Sequence, residues 1–197
     1  MNGEINIPKQ VMAGNEMPES DDLVILIKEC LKDNIKAQKK LYDMYHPLVF
    51  GVIRRYISDI NIAKEVLNEV FFSILTKLNQ YSFKGAFEGW MRQIAVNSVA
   101  MYFRKNLKHD VISNLDINEI DFSIDSSAVG KITYKEILQF IQELPDMQRV
   151  IFNLHVFENF SHKKIGDILN IKENNSRWYL NDARKKLKEK IKNYMQA

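Results

Sequence analysis

Amides and cations at helical spacing stand near the C-terminal end of the sequence, and they are its residues best suited to binding chemistry. Arg177, Trp178, Asn181 and Lys185 lie three, four, seven and eleven positions after Asn174, so a helix would place all five on one face. Amides and a guanidinium can read base edges in a major groove, and lysines neutralise phosphates. The same spacing also occurs on the solvated basic face of an ordinary amphipathic helix, so the spacing alone leaves both interpretations open.

A helix-turn-helix pattern surrounds these residues. Ser161 is suited to capping a short helix, and Asn170 stands where the chain would turn through a left-handed conformation, which asparagine tolerates. Gly166 has no side chain, so another helix can pack closely against this short helix. Two short helices joined by such a turn form the DNA-binding helix-turn-helix, which we predict from about residue 161 to 192. The expected DNA contacts are Lys172, Asn174, Asn175, Arg177, Trp178, Asn181, Arg184 and Lys185.

A polar face is predicted on a helix from about residue 61 to 78. The apolar residues of this segment recur at intervals of three and four. Glu65, Asn68 and Glu69 then share a separate face at i, i+3 and i+4. Such a face suits a protein partner, and it equally suits a solvated helix surface.

A third group of residues is suited to single-stranded DNA. The loop from 79 to 86 mixes aromatic rings and a lysine around Gly85, and such rings can stack on unpaired bases. The helix predicted from 87 to 107 would extend that surface, while its Trp90 fits the apolar period and is assigned to the core. The expected contacts with the strand are Tyr81, Phe83, Lys84, Arg92, Gln93, Asn97, Arg104 and Lys105.

The elements that must position these residues are predicted to be helical throughout. Hydrophobic residues make up 46% of the 197 residues, and there are only 7 glycines and 4 prolines, which favours periodic helices over short strands. The fold class is therefore all-α, with two small helical domains at 21–107 and 132–197. An acidic flexible linker at 108–131 joins them, and a disordered tail precedes them at 1–20. A helix predicted from 35 to 57 contains Pro47, which should kink or divide it.

Composition excludes several other classes of protein. The net charge of +3 is a weak signal for nucleic acid, so the distribution of charge matters more than its sum. The single cysteine, Cys30, excludes an internal disulfide and a multi-cysteine zinc site, and its apolar neighbours predict a buried thiol. We expect no metal and no cofactor. No apolar run approaches the roughly 20 residues of a membrane helix, so we expect a cytoplasmic protein.

Two separate stretches resemble one family. The run Leu-Pro-Asp-Met-Gln-Arg-Val-Ile-Phe at 144–152 and the helix-turn-helix after it resemble region 4 of bacterial RNA polymerase sigma factors, most of all the extracytoplasmic-function (ECF) group. The segments at 41–50, 63–71 and 87–97 are similar in order and spacing to region 2 of the same family. The sequence departs from the family pattern at Trp178 and Asp182, on or beside the reading face.

This resemblance implies a transcription initiation factor that is not an enzyme. Such a protein binds core RNA polymerase, recognises the −10 and −35 promoter elements, and directs promoter melting and transcription initiation. It implies that Glu65, Asn68 and Glu69 dock on the β′ clamp, that region 4 meets the β flap, and that the acidic linker threads a basic channel of the polymerase. An anti-sigma protein partner is also implied, and we expect a monomer when the chain is free.

Three other classes of protein compete with this interpretation. A one-component regulator would share the C-terminal pattern, but the N-terminal half has no phosphoacceptor or ligand-pocket pattern. An enzyme would need a metal pair, a phosphate loop or a nucleophile motif, and the four histidines are scattered. A helical protein-binding module would leave Arg177, Asn181 and the basic C-terminal turn unexplained.

Overall fold

The computed structural model describes residues 20–106 and 132–196, here called the N-terminal half and the C-terminal half. Every regular element within these two ranges is a helix, as the composition predicts. Residues 1–19 and 107–131 lie outside the described residues, and with them nearly all of the predicted tail and the acidic linker.

Four α-helices and one short 3₁₀ turn form the N-terminal half. They are α1 (Ser20–Cys30), α2 (Ile35–Tyr56), α3 (Ile60–Thr76), the 3₁₀ turn Leu78–Gln80 and α4 (Phe87–Asn106). Helix α2 packs against each of the other three, and α3 also packs against α4. Asn34 and Asp59 cap α2 and α3 by accepting hydrogen bonds from backbone N–H groups of the first turn. Cys30 is buried, as predicted.

The sequence predicts that Pro47 kinks or divides the second helix, and the structure excludes the division, because α2 runs through Pro47 without interruption. Proline lacks the N–H that would bond to the Asp43 carbonyl oxygen one turn earlier. The His46 ring nitrogen Nδ1 lies 3.3 Å from that oxygen and can serve as its donor. Pro47 itself is exposed, so its ring displaces no core residue.

The C-terminal half contains four more helices. They are α5 (Tyr134–Gln142), α6 (Asp146–Val156), α7 (His162–Leu169) and α8 (Glu173–Gln196). Helix α8 packs against α5, α6 and α7. The two halves also contact each other, because α2 meets α5 and α6, and α4 meets α7.

The turn between α7 and α8 has the predicted cap, corner and close packing. Ser161 caps α7 by accepting from the Lys164 N–H at 3.2 Å. Asn170 is left-handed at φ 57° and ψ 47°. A Cβ at Gly166 would lie 2.7 Å from the backbone oxygen of Ile171, so only glycine allows the chain to fold back this closely.

Candidate nucleic-acid and polymerase interfaces

The face of α8 that bears Asn174, Trp178, Asn181 and Lys185 points away from the core. The opposite face buries its apolar residues and Ser176. Asn174 and Lys185 are exposed, while Trp178 and Asn181 are half-buried. Trp178 also packs against the edge of the core and edge-on to Tyr179, with ring centroids 5.1 Å apart. The helix-turn-helix therefore presents two amides and a lysine beside a fixed aromatic ring.

The remaining predicted contacts of this surface border the same face. Lys172 is exposed just before α8, Asn175 and Arg184 are half-buried, and Arg177 forms an ion pair with Glu173 at 2.7 Å. Asp182, where the sequence departs from the family, accepts hydrogen bonds from Gln148 at 2.9 Å and Lys186 at 2.7 Å. Burial alone would raise the pKa of Asp182, but these two donors hold the pKa below its ordinary value. Asp182 thus connects α8 to α6 through its hydrogen bond with Gln148.

Two stacked histidines connect α6 to α7, the first helix of the motif. The rings of His155 and His162 are 4.5 Å apart and nearly parallel. His162 Nδ1 lies 2.9 Å from the buried Ser176 hydroxyl, and His155 Nδ1 lies 3.0 Å from the Phe160 carbonyl. Burial, reinforced by His155 and Arg177, lowers the pKa of His162 to about 4. The histidine pair therefore packs one helix against the other. Among the described residues, no cluster of three or more His, Cys, Asp or Glu side chains could hold a metal ion.

The polar face predicted on α3 is exposed, and it contains an aromatic residue that the sequence analysis missed. Glu65, Asn68 and Glu69 are all exposed. Phe72 lies seven, four and three positions after them, which places it on the same face, and 73% of it is exposed. Its spacing from the three polar residues was the signal that could have identified it. Phe72 stands next to the buried Phe71 in the sequence, which favoured a core position for both. We call Glu65, Asn68, Glu69 and Phe72 the α3 face.

The loop before α4 contains two aromatic residues that were both expected to contact the single strand, and only one of them is exposed. Tyr81 is buried, contrary to its expected stacking role, because its ring packs against Phe87 and Trp90 and its hydroxyl donates to the Gly85 carbonyl at 2.7 Å. Phe83 has a left-handed φ of 57° and is 47% exposed. Its ring lies 5.0 Å from that of Tyr81. Tyr81 therefore supports the loop, and Phe83 and the exposed Lys84 form its surface. Trp90 packs against the core, as predicted.

Helix α4 divides the predicted single-strand contacts between two faces. Gln93, Asn97, Arg104 and Lys105 are exposed, and Gln93 donates to Asn97 at 3.1 Å. Arg92 instead shares its face with Val96 and Phe103, at i+4 and i+11, both of which are buried. In the described arrangement Arg92 is paired with Glu158 of the C-terminal half, which no sequence pattern indicates.

Glu158 is the centre of a polar contact between the halves. Its Oε1 accepts from Arg55 at 3.2 Å, from the Tyr56 hydroxyl at 3.3 Å and from Arg92 at 2.9 Å, and its Oε2 accepts from Arg92 Nε at 3.1 Å. The Arg55 guanidinium also lies 4.9 Å from the centre of the Phe157 ring. Only 9% of the Glu158 side chain is exposed.

The C-terminal half also caps the end of α2. Gln142 donates to the Arg54 carbonyl at 2.7 Å, Asn153 to that of Arg55 at 3.0 Å, and Arg149 to that of Tyr56 at 2.6 Å. The last carbonyls of a helix lack partners within the helix, and a cation beside them is favoured by the helix dipole. Three consecutive acceptors are thus satisfied by side chains about a hundred positions away.

Comparisons with known proteins agree with the two stretches that the sequence analysis singled out. The family described as Sigma-70 region 2 matches residues 41–108, and the family described as Sigma-70, region 4 matches residues 134–187. The ECF RNA polymerase sigma factor SigM of Bacillus subtilis (strain 168) is 28% identical over 150 residues, covering 76% of this chain and 91% of SigM. The ECF RNA polymerase sigma-E factor of Escherichia coli (strain K12) is 22% identical over 178 residues, covering 85% of this chain and 93% of its own. Among solved structures, CnrH in complex with the cytosolic domain of CnrY is 14% identical with a TM-score of 0.45, covering 88% of this chain and 98% of that one.

The chain is a sigma factor, a promoter-recognising transcription initiation factor with regions 2 and 4. Within that class it belongs to the ECF group, and the family resemblance deduced from the sequence is confirmed. No helix in the described ranges is long and apolar enough to cross a membrane.

Proposed function

We propose that this sigma factor holds core RNA polymerase through the α3 face and a promoter through two further surfaces. The observation that carries the proposal is the α3 face itself, where Phe72 is 73% exposed between carboxylates and an amide. A large exposed aromatic side chain beside charged residues is typical of an interface anchor. On this basis the β′ clamp of core polymerase is the partner of the α3 face.

The two promoter surfaces differ in the form of DNA that they suit. The amides of α8 fit base edges of a duplex −35 element, with the surrounding lysines on phosphates. Phe83 and the exposed polar face of α4 suit the unpaired strand of a melted −10 element. We propose that residues 21–107 and 132–197 act as two domains on the two elements, with the C-terminal one against the β flap, in the cytoplasm where the polymerase works.

A transcription assay with purified core polymerase tests the proposal. Start sites mapped after overexpression supply the promoter, and the purified chain should then confer synthesis from it on core enzyme. The double variant Arg177→Ala/Asn181→Ala should abolish promoter use while its circular dichroism spectrum stays unchanged. Unchanged promoter use by that variant would refute the −35 assignment. Co-purification from the same cells tests the anti-sigma partner that the resemblance implies.

A further inference from the structure

Glu158 holds Arg92 in the geometry in which an arginine holds a phosphate. Nε and one terminal nitrogen of Arg92 each donate to a different carboxylate oxygen, at 3.1 and 2.9 Å. Arginine forms this two-pronged contact with carboxylates and phosphates alike. Arg55 and the Tyr56 hydroxyl converge on the same carboxylate, so the N-terminal half presents a ready anion site that the C-terminal half fills.

We propose that Glu158 is an internal substitute for a DNA phosphate, which keeps the free chain closed and Arg92 away from DNA. The inference rests on the proposed function, since it assumes that the α4 surface meets the −10 strand. Arg92 lies on a different face of α4 from Gln93 and Asn97, and 39% of its side chain is exposed. Its Nε and one terminal nitrogen are occupied by Glu158, so these two donors can hold a DNA phosphate only after the pair breaks.

The interface is built so that it can open. Gln142, Arg149 and Asn153 bond to backbone carbonyls at the end of α2, and water can replace all three donors once the halves part. Breaking the contact thus exposes polar groups, whose hydration offsets much of the loss. Arg149 also keeps its bonds to the Gln142 and Leu144 carbonyls within its own half, so opening leaves it with partners.

The closed arrangement leaves the α3 face accessible. Glu65, Asn68, Glu69 and Phe72 are all exposed while Arg92 is engaged. The closed chain can consequently dock on polymerase before it can bind the melted strand. Opening then follows docking, which would prevent the free sigma factor from occupying single-stranded DNA.

The variant Glu158→Gln tests the closed state, and Glu143→Gln is its matched control. Both changes remove one negative charge from the C-terminal half, but Glu143 pairs with Lys190 inside that half. Small-angle scattering should show an increase of about a fifth or more in the radius of gyration of Glu158→Gln. Glu143→Gln should scatter like the unchanged chain. Circular dichroism checks the helix content, and Glu158→Ala repeats the test with a second side chain.

Binding to a labelled 20-nucleotide oligothymidylate supplies the second measurement. Glu158→Gln should bind about tenfold more tightly than the unchanged chain, with Glu143→Gln within about twofold of it. Adding Arg92→Ala to Glu158→Gln should remove the gain while the chain stays open. The proposal is overturned if Glu158→Gln matches its control in scattering and affinity, if it opens without binding DNA better, or if Arg92→Ala leaves the gain intact.

Failure of the proposed function would give a different result. In that case the unchanged chain would not confer promoter-dependent synthesis on core polymerase, whatever the shape of the variants. A chain that does confer synthesis, but whose Glu158→Gln variant neither opens nor gains affinity, refutes the internal substitute alone.

Discussion

Glu158 and Arg92 are 66 positions apart and are joined by two hydrogen bonds, of 2.9 and 3.1 Å. The pair connects the turn after α6 to α4, and so connects the C-terminal half to the N-terminal half. Replacement of Arg92 alone would consequently remove a proposed DNA contact and a contact between the halves at once. The effects of the two partners have to be measured together.

Phe72→Ala should weaken binding to core polymerase by about thirtyfold, because a buried aromatic anchor contributes about 2 kcal/mol or more to an interface. The stability of the free chain should change by less than about 0.5 kcal/mol, since 73% of the side chain is exposed. Fluorescence anisotropy with labelled sigma factor measures the affinity. Ile25→Ala, an equally apolar change at a 59% exposed site on α1, should leave it unaltered. Equal losses in both variants would contradict a specific role for Phe72.

Phe83→Ala should slow the formation of the open promoter complex by about 5- to 150-fold, which corresponds to the loss of one base stack. The ring is 47% exposed above Tyr81, so its removal should leave the core intact. Permanganate footprinting of the melted strand measures opening, and protection of the −35 element should persist. Ser82→Ala, at the neighbouring exposed position, is the control. Normal opening by Phe83→Ala would show that the base rests elsewhere.

Asn174→Ala and Lys185→Ala should have different effects on duplex binding, although both residues are exposed on one face of α8. Loss of an amide that reads a base should relax the sequence preference at one position, at a cost of about 1–3 kcal/mol. Loss of a lysine that contacts phosphate should weaken all sequences alike and reduce the salt slope by about one. Holoenzyme binding to a panel of −35 variants at several salt concentrations separates the two. Identical profiles would mean that Asn174 does not read a base.

Gly166→Ala should destabilise the C-terminal half by about 1–3 kcal/mol, because the new Cβ would meet the Ile171 backbone oxygen at 2.7 Å. Gly51→Ala is the matched change, since a Cβ there has no neighbour within 4 Å. It should stabilise α2 by about 0.5–1 kcal/mol. Urea unfolding followed by circular dichroism measures both. Stabilisation by Gly166→Ala would show that the turn can shift to make room.

The stability of the C-terminal half should fall as the pH drops from about 6.5 towards 4. Burial lowers the pKa of His162 from 6.5 to about 4, so the unfolded chain takes up a proton in this range while the folded chain does not. His162 is partly exposed, and solvent screening reduces the effect to about 1 kcal/mol at pH 5. His162→Gln should lose this part of the pH dependence in urea unfolding, whereas His46→Gln should retain it. The same pH profile for His162→Gln and the unchanged chain would contradict the assignment.

The sequence by itself determined the features that depend on neighbouring residues. Ser161 and Asn170 act through hydrogen bonds and backbone preferences within a few positions, so their cap and corner were predictable. Helix period placed Asn174 with Lys185, and Glu65 with Glu69, on common faces because that period is nearly independent of the fold. Family resemblance supplied the polymerase and promoter roles, which no local pattern contains.

Tertiary structure alone decided which of those side chains are available. Tyr81 and Phe83 are both aromatic residues of the same loop, but the Tyr81 ring is buried in the core and the Phe83 ring lies at the surface. Pro47 lies inside an unbroken α2, and the His46 ring nitrogen Nδ1 is 3.3 Å from the Asp43 carbonyl oxygen that proline leaves without its helical donor. Arg92 pairs with Glu158 because the two halves dock. The two residues are 66 positions apart, so no periodic pattern in the sequence indicates that they meet. Docking depends on the summed shape and charge of two surfaces, which only the folded chain brings together.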